Sequence, residues 1–253
     1  MGELVSIITP VYNCDKFIAE TINSVIAQTY INWELIIVDD CSTDDTENVV
    51  RSFQDQRIHY YQNVVNSGAA VSRNRALREA KGRWIAFLDS DDLWLPNKLD
   101  RQIKFMVDNS VSFSYTNLGV IDEASNSLNR LVTGPKHITK FGMFNYCWIG
   151  CLTVMYDMSV VGLIQVADIK KNNDYAMWLK VIQKADCYLL NENLASYRVR
   201  TGSISRLKKT SLIQWHYKLF REVEKESVTV AVFNTIRNLI FGVIKKWYYE
   251  KNV

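Results

Sequence analysis

Four short runs rich in branched aliphatic residues divide the first hundred positions: Leu4 to Ile8, Glu34 to Val38, Ile58 to Tyr61 and Trp84 to Leu88. Between and after them, apolar residues recur at helical spacing. Phe17, Ile18, Ile22, Val25 and Ile26 form one such stretch, and Val49, Val50 and Phe53 a second. Ala69 to Ala80, closed by Gly82, form a third, and Leu99, Ile103, Phe105 and Met106, behind Pro96, a fourth. Strand and helix alternating at these lengths argue for a Rossmann-like, doubly wound, mostly parallel sheet with helices on both faces. The second run is apolar almost throughout, as a strand covered on both faces should be.

Sheets of this kind bind ligands in the crevice at the carboxyl ends of their strands. The informative residues therefore follow the runs: Pro10, Tyr12 and Asn13 after the first, Asp39 and Asp40 after the second, Asp89, Asp91 and Asp92 after the fourth. Carboxylates packed this closely repel one another unless a cation sits among them. Two of them at i and i+2 can reach one hard divalent ion, and Mg²⁺ or Mn²⁺ takes one or two carboxylates together with substrate phosphates. Capping the helix behind Pro96 is the structural alternative, and it suits Asp92. An acid in the place of Asp40 can accept a hydrogen bond from a nucleobase N–H or a ribose hydroxyl. Gly68 and its small neighbours let an anion approach a helix N-terminus closely. Of Arg73 and Arg75, one should point into the cleft, where a guanidinium pairs with a carboxylate or a diphosphate.

Thirty basic and 27 acidic residues leave a net charge of +3, which excludes a strongly basic nucleic-acid binder. The five cysteines are scattered and odd in number, which suits free thiols in a reducing cytosol better than a disulfide framework. The chain opens without a basic-then-apolar leader, so no signal peptide and a cytoplasmic location are expected. No uncharged run reaches the ~20 residues of a membrane-spanning helix. Val228 to Ile244 comes closest, and Arg237 interrupts it.

Beyond Asp108 the pattern loosens. Ser112 to Thr116 and Ile149 to Tyr156 read as strands, and polar Asp122 to Phe144 as loops. Tyr175 to Lys184 reads as a helix with Asp174 at its N-cap, and everything from Thr210 as helical to the end. This gives one domain over 1–209, with a nucleotide-binding half (1–108) and an acceptor half (109–209), and a C-terminal helical extension over 210–253. In the extension, apolar clusters alternate with Arg237, Lys245 and Lys246, and Trp247, Tyr248 and Tyr249 follow. That combination suits a helix lying peripherally in the interface of an anionic membrane. Packing against the domain, or against a second copy in a homo-oligomer, is the alternative.

Taken in order, VSIITPVYNCDKFIAETINSVIAQTY, WELIIVDDCSTDDT, NSGAAVSRNRAL and GRWIAFLDSDDLW resemble the consecutive blocks of family-2 glycosyltransferases of the GT-A fold, the type that builds bacterial surface polysaccharides. The resemblance runs from Val5 to about Asp108. It thins to Lys171 and resumes in KNNDYAMWLKV and YRVRTGSIS. It implies a nucleobase pocket of Pro10, Tyr12 and Asp40, and Arg73 facing the nucleotide. It implies a metal-binding DxD pair, Asp89 and Asp91, with Asp91 nearest the ion and Asp89 also near the nucleotide. It implies Asp174 as the catalytic base. Asn173 stands where many members carry Glu, which removes a carboxylate neighbour from that base. Arg198 and Arg200 would close over the diphosphate. A relative's His in the place of Arg200 touches the metal, which a guanidinium cannot do. Trp178 would form either an acceptor-site wall or part of the core.

The activity so implied is inverting, metal-dependent transfer from a nucleotide-sugar, UDP-linked by preference, to a hydroxyl of a saccharide or lipid-linked saccharide. A sugar nucleotidyltransferase shares such a sheet but wants a Gly-rich phosphate loop after the first strand, where this chain reads Thr9-Pro10-Val11-Tyr12-Asn13. A catalytically decayed nucleotide-sugar-binding module would not need the DxD pair and Asp174 together.

Overall fold

The computed structural model describes residues 2–200 and 209–252. In chain order the strands are β1 (Val5–Val11), β2 (Trp33–Asp39), β3 (Ile58–Gln62), β4 (Trp84–Phe87), β5 (Leu93–Trp94), β6 (Phe113–Ile121), β7 (Ser127–Val132), β8 (His137–Ile138), β9 (Met155–Asp157), β10 (Cys187–Arg198) and β11 (Glu250–Asn252). The helices are α1 (Ile18–Ile26), α2 (Thr46–Arg51), α3 (Ala69–Glu79), α4 (Lys98–Asp108), α5 (Lys140–Asn145), α6 (Met158–Val161), α7 (Asn173–Val181), α8 (Lys209–Lys218) and α9 (Val228–Tyr248).

One mixed sheet joins all the strands. Its N-terminal half, β3-β2-β1-β4, is parallel. β9 then runs antiparallel between β4 and β6, and β7 and β11 continue antiparallel to the far edge. β10 lies parallel to β6, with register shifts near Asn193, and antiparallel to β5 and β8.

The doubly wound reading holds residue by residue. Ile7, Leu35, Ile37 and Ala86 pack on one face with Ile18, Ile22 and Val25 of α1 and Leu99 and Met106 of α4. Their neighbours Ile8, Ile36, Val38, Ile85 and Phe87 pack on the other with Ala76 and Leu77 of α3 and the whole apolar side of α7. Alternate side chains of one strand thus feed two cores, the reason these strands read as unbroken apolar runs.

Four local expectations change. The stretch from Asp122 to Phe144 is not loop throughout: it holds β7, β8 and most of α5. The Asp122 carboxylate accepts from the Ala124 and Asn126 N–H groups at 2.9 Å each, which turns β6 back into β7. Four of the six β7 side chains are exposed, so no apolar alternation marked it. Ile149 to Tyr156 supplies strand only at its end, after a 3₁₀ turn at Cys151–Thr153. α7 starts earlier than expected: its N-cap is Asn172, in left-handed conformation (φ 57°), and Asp174 lies inside the first turn. The tail is not helical to its end, since Glu250–Asn252 pair with β7. Leu219, Phe220 and Ala231 are buried in the same core as α7, so this part of the tail packs against the domain, the alternative given above.

Candidate active site

β1 pairs in parallel with both β2 and β4, so the residues that follow the three strands lie along one edge of the sheet. Asn13, with positive φ (46°), accepts from the Thr43 N–H at 2.8 Å and donates its own N–H to Ser42 Oγ, so the turns after β1 and β2 are locked together. Pro10 is buried in β1 and Tyr12 is exposed just past it. Asp40 is almost fully buried. Its Oδ1 accepts from Asn63 Nδ2, the Ser67 N–H and Ser72 Oγ, and its Oδ2 accepts from the Gly68 N–H at 2.6 Å. A carboxylate has about four acceptor positions, so Asp40 here shapes the loop that opens α3. Gly68 has φ +90°, a conformation that L side chains rarely adopt, and presents the first turn of α3 openly.

Past β4, the turn from Asp89 to Asp92 is held from behind by α1. Thr21 Oγ1 lies 2.9 Å from the carbonyls of both Ser90 and Asp92, and Cys14 Sγ lies 3.3 Å from the Ser90 carbonyl. Two arginines compensate the carboxylates. Arg73, nearly buried on α3, donates from Nη2 to Asp89 Oδ1 at 2.6 Å and from Nη1 to Asn173 Oδ1 at 2.8 Å. Arg200, just past β10, sets Nε 2.7 Å from Asp91 Oδ2. Burial pushes the Asp91 carboxyl up, Arg200 opposes that shift and Asp89 adds to it. Burial pushes Asp92 well above the usual carboxylate range, with Asp91 and Asp89 adding their repulsion. Asp92 accepts the Arg198 N–H at 2.8 Å and faces inward, so it braces the turn.

Asp174 is half-buried in the first turn of α7, beside the Asn173 that Arg73 holds. Its Oδ1 accepts the following N–H, that of Tyr175, at 2.8 Å. Arg73 thereby joins the DxD turn to the helix that carries the expected base, a link marked in the sequence only by Asn173 replacing Glu.

Two candidates take other places. Trp178 is fully buried, edge-on to Phe87 with centroids 5.1 Å apart and 6.0 Å from Phe113, so it belongs to the core and not to an acceptor wall. The Arg198 side chain is also fully buried. It donates to the carbonyls of Asp91, Asp122 and Glu123 and to Ser125 Oγ, and pairs with Glu20 at 2.6 Å. Its donors hold the β6–β7 turn and the DxD turn together and do not face a diphosphate. Of the YRVRTGSIS motif, Thr201 to Ser205 lie outside the described residues.

Among the described residues no three His, Cys, Asp or Glu side chains gather into a closed metal cage. The arginine pairs engage Oδ1 of Asp89 and Oδ2 of Asp91. Two carboxylates completed by diphosphate oxygens form a donor set that Mg²⁺ or Mn²⁺ accepts, and Asp89 with Asp91 fit that requirement.

The chain matches the family description "Glycosyl transferase family 2" over residues 6–154. It is 42% identical over 226 residues to a teichuronic acid biosynthesis glycosyltransferase, TuaG, of Bacillus subtilis, covering 88% of this chain and 89% of that one. It is 38% identical over 251 residues to the UDP-Glc:alpha-D-GlcNAc-diphosphoundecaprenol beta-1,3-glucosyltransferase WfgD of Escherichia coli, covering 98% and 97%. In fold it is similar to S. aureus TarS (residues 1–349, solved with UDP-GlcNAc), with TM-score 0.76 and 20% identity over 96% of this chain and 74% of that one. The fold is therefore GT-A, and with acids and arginines gathered at its strand ends the chain belongs to glycosyl transferase family 2 and is a glycosyltransferase of the hexosyl-transferring kind.

Proposed function

We propose that the chain transfers a hexosyl group, with inversion, from a UDP-sugar to a hydroxyl of a lipid-linked saccharide during cell-surface polysaccharide synthesis. One observation carries this reading: Arg73 ties Asp89, on the donor side, to Asn173, beside Asp174. Donor and acceptor chemistry would then share one partly buried network. The names of the Bacillus and Escherichia relatives support the polysaccharide and the lipid-linked acceptor, and the UDP-GlcNAc complex of TarS supports the donor class.

Tyr12 stacks on the base, with Pro10 behind it and the Asp40-braced loop alongside. The first turn of α3 and Arg200 face the diphosphate. Asp89 and Asp91 would hold Mn²⁺ or Mg²⁺, which when bound would supply positive charge to the departing diphosphate. Asp174 takes the proton of the acceptor hydroxyl, the hydroxyl oxygen bonds to the anomeric carbon, and the bond from that carbon to the diphosphate oxygen breaks, releasing UDP. One displacement at one face inverts the centre. Arg73 keeps Asp89 and Asn173 in register so that base and donor stay aligned. The work is placed at the inner face of a bacterial membrane, where such an acceptor lies.

The test is incubation with UDP-glucose, Mn²⁺ and an N-acetylglucosaminyl-diphospholipid. A disaccharide-lipid product of inverted anomeric configuration supports the reading. UDP-sugar binding with neither transfer nor hydrolysis identifies a decayed binding module.

A further inference from the structure

We propose that the outer face of α9, with Phe141 of α5, is a docking surface for an anionic lipid bilayer, an inference that rests on the reading above for the acceptor's lipid anchor. α9 is amphipathic in the reverse sense. Towards the domain it presents Ala231, Asn234, Thr235 and Asn238, all buried. Asn234 donates to the Glu226 carboxylate at 2.8 Å, and Asn238 donates to the Tyr175 hydroxyl at 2.8 Å. Away from the domain it presents Phe233, Ile236, Ile240, Val243 and Trp247, at alternating spacings of three and four residues, 61%, 53%, 55%, 53% and 80% exposed. Val228, Val230, Val232 and Tyr248 widen the stripe, and Phe141 extends it onto α5 at 68% exposure. An apolar patch this continuous marks an interaction surface. Its breadth exceeds the narrow seam that a single partner helix covers.

The charges identify the occupant. Between Val228 and Tyr248 every charged residue is basic: Arg237 and Lys246 lie at the outer face, and Lys245 turns its Nζ inward to the Cys147 and Trp148 carbonyls. The Arg237 guanidinium sits between the rings of Phe141 and Phe233, 5.0 and 5.5 Å from their centroids, and its Nε is buried without a hydrogen-bond partner. A cation held between two exposed phenyl rings matches the level at which lipid phosphates meet acyl chains. Lys246, Trp247 and Tyr248, all exposed, repeat the combination at the far end of the helix. A two-fold pairing of α9 with a second copy would set this basic helix against itself, with no acid in it to neutralise the contact, whereas anionic headgroups complement it. By length and composition α9 could cross a membrane. The bonds from Asn238, and from Lys245 Nζ to the Trp148 carbonyl at 2.9 Å, hold it along the domain instead. Tyr175, which receives Asn238, follows Asp174 directly, so a bilayer on this face has a fixed position relative to the catalytic cleft.

The test is co-sedimentation of the full chain with vesicles of phosphatidylglycerol and phosphatidylcholine, and with phosphatidylcholine alone. Binding to the anionic vesicles that weakens as salt is raised is expected. Ile236→Asp with Ile240→Asp should lower that partition by at least about tenfold, and Arg237→Gln severalfold, with melting temperature and UDP affinity unchanged in both. The proposal is overturned if the unmodified chain ignores anionic vesicles, if folded Ile236→Asp/Ile240→Asp protein binds them equally well, or if sedimentation equilibrium finds a dimer that this pair of changes splits. The unmodified chain's salt response decides the matter even if the double variant does not fold. Vesicle binding without transferase activity would remove the catalytic reading and leave this one standing.

Discussion

Arg200 Nε lies 2.7 Å from Asp91 Oδ2, so the second carboxylate of the DxD pair is compensated by a guanidinium reaching it from more than a hundred residues further along the chain. Arg73 does the same for Asp89 from α3. The acids at the end of β4 therefore tolerate one another because two positive side chains from separate elements converge on them.

Asp91→Ala should abolish Mn²⁺-dependent UDP binding while the protein stays folded, since the change removes one of the two carboxylates assigned to the ion and leaves the Asp89–Arg73 pair intact. Calorimetric titration of UDP with and without Mn²⁺ checks this. An affinity equal to that of the parent removes Asp91 from the metal assignment.

Arg73→Lys should cost about 1 kcal/mol of stability, because an ammonium on a shorter reach cannot satisfy both Asp89 and Asn173 and leaves one half-buried acceptor without its donor. Turnover should fall with it. Urea unfolding and initial-rate kinetics report the two effects, and a variant within about 0.5 kcal/mol of the parent contradicts a linking role.

Trp178→Ala should cost about 3–5 kcal/mol through the cavity opened against Phe87 and Phe113, and Trp178→Phe markedly less. Denaturant unfolding reads this directly. A higher KM for acceptor at unaltered stability would return Trp178 to the acceptor site.

Burial lowers the pKa of His216 from 6.5 to about 4. A histidine held below its unfolded value contributes stability that is fully present above about pH 6.5 and is lost as pH falls towards 4, up to about 3 kcal/mol. Unfolding free energies measured between pH 7 and 4 should show this loss, and His216→Gln should flatten it. Equal slopes for parent and variant contradict a buried neutral imidazole.

The parallel half of the fold was legible in the sequence because β1, β2 and β4 feed two cores with alternate side chains and so read as unbroken apolar runs. The far half was not. β7 exposes most of its side chains and β10 is broken by register shifts near Asn193, which erases any regular alternation. The DxD pair, Arg73 and Asp174 were legible as residue types at strand and helix ends. The roles of Arg198 and Trp178 were not, because each is set by partners distant in sequence: Glu20, Asp122 and Ser125 for the one, Phe87 and Phe113 for the other. The polar inner side of α9 was hidden for the same reason, since Asn238 is explained only by Tyr175.

Transfer by Asp174→Asn protein tests the central claim most directly. Asn keeps the size of the side chain and can still accept the Tyr175 N–H, but it cannot take a proton. The account predicts UDP-sugar affinity within about twofold of the parent and a turnover lowered by about 10²–10⁴-fold. Turnover within a few-fold of the parent would contradict it and leave Asp174 as no more than a first-turn helix acid.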